Sequence, residues 1–229
     1  MKRTLPAIAL ITGLTLAGCS GGQDGGQDED GSDSAAEEAT QLDEATLKEL
    51  LESTDAQGQS FTYIDTSEAS GSEALKALDN AEFEPSECKD LSMAALGAAE
   101  ASDSTTVTGV SSDNTLSVGL VSLADEDAAG SQLRTSSKVT EECSDVTISS
   151  QGIEMSMDFE PFDTEVAGAD ETVGVSATID AGGQTVLNTN SISARVGNNI
   201  VTAANVVDVD EATVSQTAEA FVDAVSSAG

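Results

Sequence analysis

The sequence predicts an α+β fold in which an antiparallel sheet, a meander of about five to seven strands, is packed by helices. Three observations carry that expectation. Ile153, Met155, Met157 and Phe159 alternate with Glu154, Ser156, Asp158 and Glu160, and Val173, Val175, Ala177 and Ile179 alternate with Gly174, Ser176, Thr178 and Asp180. A period of two marks a strand with one buried and one wetted face, the habit of an antiparallel sheet covered on one side. Near the C-terminus the period changes, because Val214, Ala218, Phe221 and Val225 form the single stripe of an α-helix.

The elements follow in order. Leu42, Leu47, Leu50 and Leu51 predict a short helix ending near Ser53, Phe61-Thr62-Tyr63-Ile64 a brief strand, and residues 72–78, with Leu75 and Leu78 on one side, a second short helix. Pro85 breaks the chain. A third helix is expected over about residues 88–101, turning Leu91, Ala95, Leu96, Ala98 and Ala99 inward. Val107 opens a strand, and Leu116, Val118 and Leu120 line the next, with Ser112-Asp113-Asn114 as the turn between them. Residues 125–143 read as a helix with Asp125, Glu126 and Asp127 at its positive end. Four strands then succeed one another, with Gly182-Gly183 and Gly197-Asn198-Asn199 as hairpin turns joining strands near residues 186–196 and 200–207. The last helix spans about residues 211–226, with Asp208 and Glu211 as its expected capping pair.

Ahead of these elements, Lys2 and Arg3 precede an uncharged, mostly apolar run from Leu5 to Ala17, the layout of an export signal. The run is shorter than the ~20 apolar residues that span a bilayer, and no later segment is apolar enough to do so. Its end, Leu16-Ala17-Gly18-Cys19, resembles the lipobox of bacterial lipoproteins. The resemblance implies that residues 1–18 are removed and that Cys19, diacylated on sulfur, becomes the first residue. The competing reading is an ordinary secretory signal that ends near a free cysteine; against it, all four lipobox positions match and an acidic spacer follows at once. Two acyl chains suffice for stable anchoring where one is marginal. The expected location is therefore the extracytoplasmic face of the cell membrane, reached through the lipid.

Residues 19–41 carry that lipid and then a tract of Gly, Ser, Asp, Glu, Gln and Ala, too poor in large apolar groups to offset the entropy of ordering. They are expected to be a disordered leash with a reach of ~25 Å, lengthened by like-charge repulsion. An acidic interaction tail is the alternative. Residues 42–229 then form one domain.

The chain holds 42 acids against 8 bases, a net charge of -34, and loss of Lys2 and Arg3 with the signal makes it -36. Such a field repels phosphate backbones and excludes nucleic acid as a partner. Self-repulsion also weakens the compact state, and dissolved salt relieves it. Cys88 and Cys143 remain as an even pair in a chain read as exported, where disulfides persist. They are expected to bond to each other, a link worth ~4 kcal/mol for so long a loop. Two buried free thiols are the alternative, and a metal site is disfavoured because there is no histidine and two thiols make a poor zinc cage.

Catalytic constellations are scarce. The absence of histidine excludes Ser-His and Cys-His nucleophiles, and no Gly-rich phosphate loop with its lysine is present. Ser86-Glu87-Cys88-Lys89 fits the Ser-x-x-Lys pattern of penicillin-binding enzymes, and Ser112-Asp113-Asn114 has the form of their second motif. The Lys-Thr-Gly motif is missing and the spacing is short, so a helix start and a hairpin turn are the better readings. Asp125-Glu126-Asp127 and Asp208-Val209-Asp210-Glu211 offer hard oxygen ligands for calcium, yet lack the glycine and distal glutamate of an EF-hand loop and lie where helix caps explain acids. No cofactor and no metal are expected. Five Phe, one Tyr and no Trp argue against an aromatic sugar platform. Arg134, Lys138 and Arg195 are the only cations after Lys89. Arg195, beside the Gly197 turn, is a candidate contact for an anionic ligand, with pairing to a carboxylate as the rival role.

A cysteine opening a helix (Cys88), two strands, a helix ending in "VTEECSDVTIS", a meander, "ARVGNNIVTAANVV" and a terminal "AEAFVDAV" helix together resemble the PknH-like extracellular sensor domain. That family is found on actinobacterial receptor kinases and on free-standing lipoproteins. The resemblance spans about residues 61–229 and rests on Arg195-Val196-Gly197-Asn198 and the placement of Cys88 and Cys143. It implies a sheet packed by helices around a solvent-open cleft that binds a ligand or partner without chemistry. Kinase-linked members tend to have more than one disulfide, and this chain can form one. The expectation is a monomeric, membrane-anchored, non-enzymatic sensor or binding module for a small molecule or envelope protein. Its alternative is a structural lipoprotein of the envelope without a ligand pocket.

Overall fold

The computed structural model describes residues 40–65, 79–93, 103–150, 153–207 and 209–228. In chain order they form α1 (Glu44–Ser53), β1 (Phe61–Ile64), β2 (Glu82–Glu84), β3 (Thr105–Ser111), β4 (Leu116–Ser122), α2 (Glu126–Glu142), β5 (Asp145–Ser150), β6 (Ile153–Phe162), β7 (Glu171–Ala181), β8 (Gln184–Val196), β9 (Asn199–Asn205) and α3 (Glu211–Ser226). Residues 87–93 are also helical. The rest of the expected third helix, the expected helix at 72–78, Asp208 and the whole N-terminal region through residue 39 lie outside the described residues.

All pairings are antiparallel, and the strands form one nine-stranded sheet in the order β1-β3-β4-β9-β8-β7-β6-β5-β2. The expected α+β class therefore holds, with two strands more than the longest expected meander. The additional strands are β5 and β2, paired at one edge. The run β5 to β9 is the meander. Its last strand pairs with β4, Val201 opposite Leu120 and Ala203 opposite Val118, which joins the two halves of the chain. Asn198 fixes this junction: its buried side-chain amide donates to the Leu123 carbonyl (2.7 Å) and its own carbonyl accepts from the Leu123 N–H (2.9 Å). The glycine turns are where expected, with φ of +61° and +77° at Gly182 and Gly183 and +55° at Gly197, a region open to glycine at little cost.

Both faces of the sheet carry helices, whereas the alternation alone predicts cover on one side. Neighbours in a strand point to opposite faces. Val201, with Leu120, Val118, Ile192 and Ala194, belongs to the main core beneath α1 and α3, whereas the adjacent Ile200 packs with Leu123, Ala129 and Leu133 under α2. On the first face α3 buries Val214, Ala218, Phe221, Val222 and Val225, and the Phe221 ring meets Phe61 edge-on with centroids 5.0 Å apart. Helix α1 adds Leu47 and Leu51. It sits so close to β3 that a Cβ on Gly109 would lie 2.7 Å from a Leu51 methyl and 2.9 Å from the Thr62 carbonyl oxygen. Side-chain carboxylates cap all three labelled helices: Asp43, Asp125 and Asp210 accept from the N–H of Thr46, Ala128 and Thr213 at 2.8, 2.7 and 2.8 Å. The cap of α3 is thus Asp210, two residues past the expected Asp208, since the helix begins only at Glu211.

A second, smaller cluster lies at the β5–β2 edge. Cys88 and Cys143 are bonded (S–S 2.19 Å, Cα–Cα 5.7 Å, 55 residues apart) and buried with Ala81, Val146 and Ile148. The opposite face of the same strands is acidic. Asp158 stands across from Asp145, and the hydrogen bond between their carboxyls, desolvation, and the charges of Asp145, Asp180 and Glu160 hold its pKa above the usual carboxylate value.

Two outcomes follow from these arrangements. Replacing Cys88 and Cys143 together by serine removes a 55-residue cross-link and is expected to cost ~4 kcal/mol, read as a lower thermal midpoint that the reduced native protein reproduces. A raised carboxyl pKa gives stability that is full below the unfolded value and lost as pH rises through the folded one. Asp158→Asn is therefore expected to unfold at higher temperature than the native chain near neutrality; the gap should close at about pH 3, below the ordinary Asp value. An equal gap at both pH values would count against this account.

Candidate functional site

Helix α2 covers the sheet unevenly, and a groove results. Its buried residues are Ala129, Gly130 and Leu133, all in the N-terminal half. That half docks on Leu123 and Ile200. The following residues, Thr135-Ser136-Ser137, are small and polar, and the helix then runs to its C-cap, Cys143, where the disulfide ties it to Cys88. Between these two attachments it bridges β6, β7 and β8 without filling the space beneath.

The space is a cavity of ≈ 340 Å³, open to solvent. Its floor is the outward row of β7, Val173, Val175, Ala177 and Ile179, with Phe159 of β6 beside it. Thr189, Ser191 and Ser193 of β8 stand opposite that row, paired across the sheet with Ala177, Val175 and Val173. Leu133, Ser136 and Thr140 of α2 form the roof. Among the described residues no charged side chain lines it. Its size and apolar floor are those of small-molecule sites.

A wider depression of ≈ 550 Å³ lies on the β6–β7 connection, where Glu165, Asp170, Glu171 and Glu219 bring carboxylates together. Arg195 is held beside it. Its guanidinium is 3.2 Å from Asp170 and 3.6 Å from Glu171 and donates to the Gly197 carbonyl at 3.2 Å, while Asp170 also accepts from the Gly197 N–H at 2.8 Å. With 18% of its side chain exposed, Arg195 has the carboxylate partners of its rival role and braces the β8–β9 turn. It does not line the groove.

The remaining sequence candidates are scattered. Ser86-Glu87-Cys88-Lys89 follows β2 at one edge of the sheet, and Ser112-Asp113-Asn114 is the turn after β3, the second strand from the other edge, so the two motifs do not meet. The Lys89 ammonium donates to the backbone carbonyls of Asp79 and Ala81 at 2.5 and 3.2 Å, and Cys88 is in the disulfide. Asp113 accepts from Ser111 and Thr115 hydroxyls, which hold its pKa below the usual value. Asp125 and Asp210, offered as calcium ligands, spend a carboxylate oxygen on a helix N-terminus. The groove itself was not anticipated residue by residue. One signal could have found it: the apolar row of β7 has no counterpart of large apolar side chains in Thr135-Ser136-Ser137.

No protein-family model matches the chain, and no curated protein does. Among solved structures, the chain is similar to the extracellular domain of PknH from Mycobacterium tuberculosis, at 15% identity and a TM-score of 0.45, over 57% of this chain and 69% of that one. It is also similar to an uncharacterized protein of Mycobacterium smegmatis, an Rv0999 ortholog, at 17% identity and a TM-score of 0.41, over 73% and 86% of the two chains. Overlaps at that level carry no argument about what the chain does.

Proposed function

We propose that the protein is a membrane-tethered, extracytoplasmic binding module without enzymatic activity, whose ligand occupies the groove under α2. The observation that carries this reading is the groove: a helix attached at both ends spans a half-buried apolar row and leaves it open instead of covering it. A purely structural domain gains nothing from that, since closing the gap with larger side chains on α2 would bury more apolar area at ~25 cal/mol per Å². The Cys88–Cys143 bond supports an oxidising compartment. The lipobox-like Leu16-Ala17-Gly18-Cys19 supports an anchor at Cys19, and the acidic tract after it a spacer. Among the described residues no helix is long and apolar enough to cross a membrane.

Two measurements test the two parts of the proposal. Cys19→Ala is expected to move the chain from the membrane to the aqueous fraction and to abolish acyl labelling; retention in the membrane would defeat the anchor. Native mass spectrometry of the full chain taken from its own membrane is expected to show a bound small molecule. Ala177→Trp, which places an indole in the groove floor, should remove it. Recovery of ligand-free protein, with no crosslinked partner, would defeat the binding role.

A further inference from the structure

The hydroxyls around the groove determine what it accepts. Among the described residues five of them line it, and each already has a hydrogen-bond partner. Ser136 and Thr140 donate to carbonyls of their own helix, Gln132 and Ser137, at 3.2 and 2.8 Å. Thr189 donates to the Asn205 carbonyl at 2.8 Å and Ser191 to the Val175 carbonyl at 3.2 Å, both backbone groups of neighbouring strands. Ser193 shares its hydrogen bond with Thr202 at 2.9 Å. The sheet's N–H groups here are committed to the ladders of β7, β8 and β9. A groove that looks half polar by residue type therefore has almost no donor to offer: four of its five hydroxyls give their proton to a carbonyl, and the Ser193–Thr202 pair retains one.

We infer that the groove binds a single uncharged hydrocarbon chain, the acyl or alkyl part of a neutral lipid drawn from the adjacent membrane. This rests on the proposed binding role and names its ligand class. A sugar, peptide or carboxylate would bring several acceptors to a groove with one uncommitted hydroxyl proton, and most of them would lose their water without replacement. An anionic headgroup would in addition meet the field of a chain with net charge -34. A hydrocarbon incurs neither cost and covers Val173, Val175, Ile179 and Phe159, which are half-buried and otherwise face water. With a water's share of ~30 Å³ as the yardstick, ≈ 340 Å³ has room for a chain on the order of ten carbons.

The test uses N-phenyl-1-naphthylamine, an uncharged apolar fluorophore, with the full chain in its lipidated form and as Cys19→Ala. The probe is expected to bind saturably at one site and to be displaced by straight-chain alkanols. Displacement should strengthen about fourfold for every added methylene, the ratio that ~0.8 kcal/mol per methylene sets, until the groove is full. Ala177→Trp, or Ser191→Phe should the first variant misfold, should abolish it while the disulfide and thermal transition persist. Absence of saturable displacement in folded protein would overturn the inference. If a polar ligand is then found by native mass spectrometry and lost in Ala177→Trp, the binding role stands and only the hydrocarbon assignment falls; if nothing is found, both fall. Probe binding by Cys19→Ala but not by the lipidated chain would overturn the outside source, since the tether's own acyl chain would then fill the groove.

Discussion

The Cys88–Cys143 bond is the constraint on which the groove depends. Helix α2 buries no side chain beyond Leu133, so more than half its length has no hydrophobic hold on the sheet. A helix of that composition would fray at its C-terminal end, because isolated helical turns are marginal in water. The disulfide supplies the missing attachment through Cys143 and seats it in the small cluster of Ala81, Val146 and Ile148 at the sheet edge. Bridged in this way, a weakly packed helix stays above an apolar strand row that it does not fill.

The two faces of the sheet differ in how completely they are packed. Under α1 and α3 the packing is close, with Phe221 against Phe61 and Gly109 giving way to Leu51, and this face carries most of the core. Under α2 the packing is incomplete, and the described residues that remain open form a cavity with no charged side chain in a molecule of net charge -34. Carboxylates instead occupy helix caps, the Arg195 brace and the bare acidic face around Asp158. The acidity of the chain thus surrounds a groove whose described lining is neutral.

Local features were legible from the residues. Phe61–Ile64 is a strand as expected, α2 fills the interval between its expected ends at 125 and 143, and Val214, Ala218, Phe221 and Val225 all face the core. Each is set by neighbours two, three or four positions away, through alternation, a helical stripe or a capping carboxylate. β5 and β2 were not legible. Asp145-Val146-Thr147-Ile148-Ser149-Ser150 has two apolar residues and β2 is a three-residue strand ahead of Pro85, so both exist because an edge pair satisfies backbone groups. The Asp210 cap was misplaced by two residues because acids crowd that turn and sequence does not say which one sits outside the first helical residue.

By itself the sequence determined the α+β class, the turns, the terminal helix and the pairing of two cysteines. These rest on short-range chemistry, which one stretch of chain contains in full. Only the tertiary structure decided that β9 lies beside β4, that α2 takes the face opposite α1 and α3, and that the β7 row stays partly open beneath it. The reason is physical: alternation shows that a strand has an apolar face, but which helix covers that face, and how completely, depends on long-range pairing and on side-chain volumes from segments distant in the chain.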